Sequence, residues 1–304
     1  MQIAIQARGS YEFVRNSAIW AEKNRLDAIA LPDHYLQRGD NPDLDGFDHL
    51  VHLAGLARET QSIQLVSLLS PVTFRHPAVL YKMAVTIDEM SGGRFTLGVG
   101  TGWLDEEFTL FGLPYPDRGE RFELLEEAMG YLRNAITPGS HPFDGANYRL
   151  GDFDPHPHPQ NLRLLVGGGG KVKTPRLAGR FADEFNIYAC PPDAYAAKRK
   201  TAMEEAEASG RDAGSILFSA ASPAIFAIKE SDYRKRLEAF ADLTGSTTAH
   251  IEEVYLERGY PHGFGSQPSD MLTALEEAGC QRYYGQAFGA ETSEYDMMFE
   301  AITA

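Results

Sequence analysis

Along the 304-residue chain, short apolar runs alternate with longer segments whose apolar residues recur every three or four positions. Those two patterns belong to buried strands and to amphipathic helices. Ile3-Ala4-Ile5 predicts a first strand, and 11–24 a helix with Val14, Ala18 and Ala21 on one face and Asn24 at its C-cap. Asp27 to Leu31 predicts a second strand stopped by Pro32, followed by a helix over 46–60 with Leu50, Leu53, Ala54 and Ala57 in register. Ile63 to Leu69 reads as the third strand, 77–90 as a helix opened by Pro77, and Arg94 to Gly100 as the fourth strand. The clearest helix is 118–136, where Phe122, Leu125, Met129, Leu132 and Ile136 keep one face.

A stretch rich in Pro, Gly and His from Pro138 to Pro159 interrupts this rhythm. Because the same alternation resumes afterwards, it reads as an insertion over about 138–160 carrying a small hairpin, not as a linker between domains. Strand five is Leu162 to Val166, strand six Phe185 to Tyr188, and strand seven lies within Ile216 to Phe226. Helices are expected over 174–182, 192–208 (stopped by Gly210) and roughly 231–258, then a Gly/Pro-rich loop over 259–268. Ser269 can cap a last helix with Leu272, Leu275 and Ala278 inward, before Gln281 to Tyr284 begins strand eight. Eight strands with helices between them fit a closed parallel (β/α)₈ barrel, or TIM barrel, in one domain over 1–304. An open doubly wound sheet is the rival. In a barrel, the chemistry belongs at the C-terminal ends of the strands.

Composition narrows the partners. Apolar residues make up 43% of the chain, enough for a full core. Lys and Arg number 28 against 43 Asp and Glu, a formal charge of −15, which argues against nucleic acid and anionic membranes. Two distant cysteines, Cys190 and Cys280, exclude a disulfide scaffold and read as small buried residues. No signal peptide or bilayer-length apolar run is evident, so the cytoplasm is the expected location.

Four strand mouths carry candidate chemistry. Pro32-Asp33-His34-Tyr35 places an imidazole where acid–base work is possible, with Asp33 as its orienter or as a cofactor ligand; a loop histidine and a helix-capping aspartate explain it equally well. Leu68-Leu69 at the third mouth could support a flat ring, or be ordinary buried strand. Gly98-Val99-Gly100-Thr101-Gly102-Trp103 is G-x-G-x-G, not the dinucleotide fingerprint; its glycines suit close approach of backbone to a ligand, with Trp103 as an aromatic wall. Gly167-Gly168-Gly169-Gly170-Lys171 with Lys173 and Thr174, just before a helix, has the makeup of a phosphate cradle. His156 and His158, between prolines, read as a surface loop and not a metal site, and Asp105-Glu106-Glu107 as favourable charge at a helix start.

At these residues the chain resembles the luciferase-like monooxygenase superfamily, and within it the F420-dependent oxidoreductase branch. The matching stretches are 26–34, Thr73 to Pro77, Ser91 to Trp103, Gly119 to Glu123 and Leu177 to Asp183, in order across nearly the whole length. The resemblance implies a luciferase-like (β/α)₈ barrel, often dimeric, holding a deazaflavin (coenzyme F420) or FMN at its mouth. It implies cofactor contacts at Asp33, Ser67, Leu68, Thr101, Gly102, Gly168, Gly169, Gly170, Lys171 and Thr174, and a cis peptide at Ser67–Leu68. His34 matches the histidine that handles the substrate proton, with Tyr35, Phe74 and Trp103 lining an apolar pocket. Where sugar-phosphate dehydrogenase members carry a glutamate after the glycine pair, Trp103 stands here, which argues against that reaction and leaves the substrate open.

The expected activity is F420-dependent hydride transfer to or from a small organic substrate, with a flavin or F420 reductase as a candidate partner and a homodimer as the expected assembly. The alternatives are an FMN-dependent two-component monooxygenase using reduced flavin and O2, and a non-catalytic flavin-binding protein. A barrel hydrolase is disfavoured, since no two carboxylates fit separate strand ends.

Overall fold

The computed structural model describes residues 1–36, 46–139 and 142–303. Ser140 and His141, within the expected insertion, lie outside the described residues. Eight parallel strands form the barrel: β1 Gln2–Gln6, β2 Ala28–Leu31, β3 Gln64–Ser67 with its continuation Ser70–Pro71, β4 Phe95–Gly100, β5 Arg163–Gly167, β6 Glu184–Tyr188, β7 Leu217–Pro223 and β8 Arg282–Gln286. β1 pairs with β2 and β8, and the ring continues in order to β4, which closes it by pairing with β3 through Leu65↔Phe95 and Val66↔Thr96. Closure removes the open-sheet rival.

Strict alternation along each strand explains the two shells of packing. Ile5, Ile29, Leu31, Leu65, Phe95, Leu97, Val99, Phe185, Ile187 and Phe218 point outward into the main core beneath the helices. Ala4, Ala28, Ala30, Val66, Leu165, Ala221 and Tyr284 point inward and form a smaller cluster on the axis. Alanines leave room there for Tyr284, whose hydroxyl donates to Glu184 Oε1 at 2.9 Å, while Arg282 donates to Glu184 Oε2 at 2.8 Å and pairs with Asp27 at 2.5 Å. This buried network fills the N-terminal end of the barrel and leaves the opposite end open.

The helices between the strands are α1 Tyr11–Lys23, α2 His49–Glu59, α3 Pro77–Ser91, α4 Asp105–Phe111, α5 Arg118–Ile136, α6 Lys173–Phe181 and α7 Pro192–Ala208, with α1, α2 and α5 burying the expected faces. The expected 231–258 helical region is two helices, α8 Glu230–Thr244 and α9 Thr248–Arg258, split at Gly245, which is left-handed (φ 61°). They carry a small core of their own, with Tyr233, Leu237, Ile251, Tyr255 and Tyr260, against one side of the mouth. The loop expected at 259–268 contains a strand, His262–Phe264, paired with Ile225–Ala227. The last barrel helix, α10 Gln267–Glu277, begins at Ser266, so Ser269 lies inside it and does not cap it. A C-terminal helix, α11 Tyr295–Thr303, follows. The insertion holds an antiparallel hairpin, Phe143–Asp144 with Arg149–Leu150, whose turn is gripped by the Glu127 carboxylate of α5 through the backbone N–H groups of Ala146, Asn147 and Tyr148. Among the described residues no helix is long and apolar enough to cross a membrane.

Candidate active site at the barrel mouth

The open end of the barrel is a cavity of about 820 Å³, within the range of small-molecule and cofactor sites. All eight strands contribute to it near their C-terminal ends, with Gln6, Pro32, Leu68, Gly100, Gly167, Asn186, Ala221 and Gln286 among the lining residues. Among the described residues no carboxylate lines it, whereas Arg8, Lys198 and Arg258 do. Within a chain of net charge −15, the described lining of this pocket is therefore basic, which favours an anionic ligand.

Leu68 and Leu69 form one apolar wall, and the peptide bond between them is cis. The cis bond therefore falls one residue after the expected Ser67–Leu68 position. Register explains the placement: β3 takes five steps from Leu65 to Ser70 where β4 takes four from Phe95 to Val99, so the third strand carries one extra residue there. Gly98 permits the close approach, since a Cβ at that position would lie 2.1 Å from the Ser67 carbonyl oxygen. The Leu68 carbonyl is held from within the barrel: Tyr188 Oη donates to Gln286 Oε1 at 3.2 Å, Gln286 Nε2 to Gln6 Oε1 at 2.6 Å, and Gln6 Nε2 to Leu68 O at 2.7 Å. Burial pushes the Tyr188 phenol well above its usual range, so it serves as a neutral donor. Gln6, Asn186, Tyr188 and Gln286 were missed in the sequence; the signal was a polar residue at an inward position near the end of an apolar strand.

His34 lines the cavity, with its Nδ1 3.1 Å from Glu107 Oε1. Glu107 Oε2 accepts the backbone N–H of Tyr35 at 3.0 Å, and the residue is 0% exposed. Charge at a helix start was all the sequence offered for this glutamate. The fold instead turns the first turn of α4 under the His34 loop. A carboxylate accepts only, so Nδ1 donates and Nε2 is left as the acceptor nitrogen. Trp103, 59% exposed, stands edge-on to the His34 ring at 5.4 Å. Its presence after the glycine pair removes no carboxylate from His34, because Glu107 supplies one.

Several expected contacts lie behind the wall instead of on it. Asp33 and Ser67 share the outward phase of Leu31 and Leu65, so alternation turns both toward α2 and away from the cavity. Asp33 Oδ1 lies 2.9 Å from His49 Nδ1, and its Oδ2 accepts from Ser70 at 2.7 Å and from Arg75 at 2.6 Å. Burial pushes the Asp33 carboxyl up, but His49 and Arg75 outweigh it and hold the group well below the usual carboxylate range. Ser67 Oγ donates to Gly98 O at 3.2 Å and lies 2.7 Å from His49 Nε2. Arg75 also pairs with Asp48 and donates to Tyr35 Oη at 2.8 Å. Tyr35 and Phe74 stack on each other, centroids 4.5 Å apart and planes at 9°, beside the cavity without lining it. Of the expected cofactor contacts, Leu68, Thr101, Gly102, Gly168 and Gly169 do line it, and Gly170, Lys171 and Thr174 stand just outside. Lys171 is exposed, whereas Thr174 is buried in the first turn of α6.

On the far wall, Lys198 Nζ lies 3.7 Å from Cys190 Sγ, and Arg258 donates to Tyr260 Oη at 3.1 Å. Burial pushes the Cys190 thiol up while Lys198 pulls it the other way.

A family model described as luciferase-like monooxygenase matches residues 2–287. The chain belongs to the luciferase-like monooxygenase family. Two relatives carry different activities in their names. Pyrimidine monooxygenase RutA of Agrobacterium fabrum is 32% identical over 170 residues, 54% of this chain and 47% of that protein. An F420-dependent glucose-6-phosphate dehydrogenase of Kineococcus radiotolerans is 33% identical over 206 residues, 66% and 59% of the two chains. The chain thus spans about half the length of the curated relatives it matches. Among solved structures of this fold, an F420-dependent secondary alcohol dehydrogenase superposes with a TM-score of 0.82 over 100% of this chain and 99% of that one, at 18% identity. The coenzyme F420-dependent tetrahydromethanopterin reductase of Methanopyrus kandleri gives 0.75 over 93% and 92%, also at 18% identity.

Proposed function

We propose that the chain is an F420-dependent oxidoreductase that moves hydride between the deazaflavin and the carbinol carbon of a small hydroxyl or carbonyl substrate. The observation that carries this reading is His34 at the cavity wall with Nδ1 on the buried Glu107 carboxylate. Removing hydride from a carbinol leaves a hydroxyl proton to be taken, and a general base in reach of it is what that reaction needs. His34 takes that proton at Nε2 and returns it in the reverse direction. Glu107 touches no ligand; it fixes the tautomer and steadies the protonated ring. The cofactor, when bound, supplies the two-electron acceptor or donor.

The residues present fit such a group. Leu68, Leu69 and Trp103 offer apolar surface for a flat ring. Gly169 has nothing within 4 Å of where a Cβ would stand, so its backbone is open to a ligand, and the N-cap residue of α6, Val172, offers no side-chain cap to its first N–H groups. Arg8, Lys198 and Arg258 on the wall, with no carboxylate lining it among the described residues, suit the several negative charges of an F420 tail better than a single phosphate monoester.

A second reading, an FMN-dependent monooxygenase taking reduced flavin from a separate reductase, is favoured by the similarity to the pyrimidine monooxygenase. One experiment separates the two. The purified protein is titrated with F420 and with FMN by fluorescence quenching, then assayed for F420 reduction with a panel of secondary alcohols and for O2 uptake with reduced FMN. The first reading expects tight F420 binding and alcohol-dependent reduction without O2 uptake. Substrate-dependent O2 uptake with reduced FMN replaces it by the second, and binding of neither cofactor refutes both. The homodimer is part of the same proposal and is read by sedimentation equilibrium.

A further inference from the structure

Far from the mouth in sequence and chemistry, the insertion brings three ligand-type side chains together. Asp154, His156 and His158 alternate with Pro155 and Pro157, and their ligand atoms all lie within 4.8 Å of one another. Asp154 Oδ2 is 3.1 Å from His158 Nε2 and 3.7 Å from His156 Nε2. Two ligands at zinc bond lengths in a tetrahedral shell stand about 3.3 Å apart, so these separations bracket what one ion requires. Sequence spacing alone gave an exposed loop without ligand function; the fold sets the two rings edge to face, centroids 4.3 Å apart, with one carboxylate oxygen near a nitrogen of each.

The segment is held in place independently of any ion. The single Oη proton of Tyr81 in α3 is shared between the carbonyls of Pro155 and Pro157, at 3.0 and 2.9 Å, and Lys82 donates to the carbonyl of His156. Asp154 Oδ1 accepts the Gly139 N–H at 3.1 Å, which leaves Oδ2 to face the histidines. His158 Nδ1 is buried and has no hydrogen-bond partner, so Nε2 is the nitrogen of that ring turned to the other two ligand atoms.

We infer that Asp154, His156 and His158 form a binding site for a divalent late transition metal, zinc by preference. Two imidazoles and one carboxylate are a borderline donor set; magnesium and calcium take shells of oxygen ligands. Three protein ligands leave the remaining position to water. The ion adds a cross-link among three residues of a segment already bonded to Gly139 and to α3, and so stiffens the chain after the hairpin further.

The test uses untagged, EDTA-stripped full-length protein titrated with Zn²⁺ against a chromogenic chelator, beside the variants H156A and H158A and the double variants H156A/H158A and C190S/C280S. The expected result is one ion per chain at micromolar affinity or tighter, at least about 100-fold weaker in each histidine variant, and unchanged in the cysteine variant. In parallel, Zn²⁺ should slow hydrogen exchange across 142–158 in the wild type and not in H156A/H158A. Binding of equal strength in wild type and H156A/H158A, or none at micromolar Zn²⁺, overturns the site and leaves a plain His–Asp ion pair. The wild-type half of the hydrogen-exchange arm does not depend on any variant folding: if Zn²⁺ leaves exchange across 142–158 of the wild type unchanged, the site is overturned.

Discussion

Replacing Glu107 by glutamine tests the proposed chemistry at one atom. The carboxylate accepts two strong bonds on separate oxygens, from His34 Nδ1 at 3.1 Å and from the Tyr35 N–H at 3.0 Å. An amide of the same shape has one accepting oxygen. If that oxygen faces His34, the amide N–H group meets the Tyr35 N–H head-on in a fully buried position, at a cost of about 1–3 kcal/mol. If it faces Tyr35, the amide donates to Nδ1, every group stays bonded, and the ring proton moves to Nε2. The second arrangement wins by that margin, so the variant folds but presents His34 to the cavity as a donor. Base catalysis of this kind contributes about 10²- to 10⁴-fold, and kcat for alcohol-dependent F420 reduction should fall by that factor while the Kd for F420 stays within about threefold, since Glu107 touches no ligand. H34A combined with E107Q should lose little beyond H34A alone, because the two act as one unit. A kcat for E107Q near that of the wild type, with the fold intact by thermal melting, would show that the carboxylate does not govern the His34 proton and would refute the reasoning.

Three further outcomes follow from the packing. Gly98→Ala drives a methyl to 2.1 Å from the Ser67 carbonyl and 2.8 Å from Leu69, so it should cost at least about 1–3 kcal/mol, read by urea unfolding; Gly100→Ala, where the nearest atom is the Leu69 side chain at 3.2 Å, should cost less, and the reverse order would contradict the close approach. Gly169→Val meets open space and should leave the melting temperature unchanged while weakening F420 binding; unaltered binding would move the phosphate loop elsewhere. Asp33→Asn strips the counter-charge from His49 and Arg75 and should cost about 3–5 kcal/mol at pH 7. Because the folded-state pKa of Asp33 is lowered, its stabilisation is present above the ordinary aspartate value near ~3.9 and is lost as pH falls below it toward the folded value. Acid unfolding of the wild type should therefore steepen in that window, and the slope should flatten in D33N.

The sequence by itself determined the order and kind of the elements. Alternating and 3.6-residue periods marked all eight barrel strands, and α5 and α7 were legible almost to the residue because long amphipathic faces and stops such as Gly210 are local signals. It also marked the mouths of β2, β3, β4 and β5 as places where a ligand could sit, through a histidine, an apolar pair and two glycine runs. Tertiary structure decided which side chains face the cavity. Side-chain direction in a strand flips with every residue, so Asp33 and Ser67, next to cavity residues in sequence, belong to the helix side, whereas Gln6, Asn186 and Gln286 point inward. The extra residue in β3 moved the cis bond to Leu68–Leu69, a matter of register between two strands and not of either strand alone. Glu107 joins His34 across 73 residues. Contacts of that kind depend on how the chain closes on itself, and no local pattern encodes them.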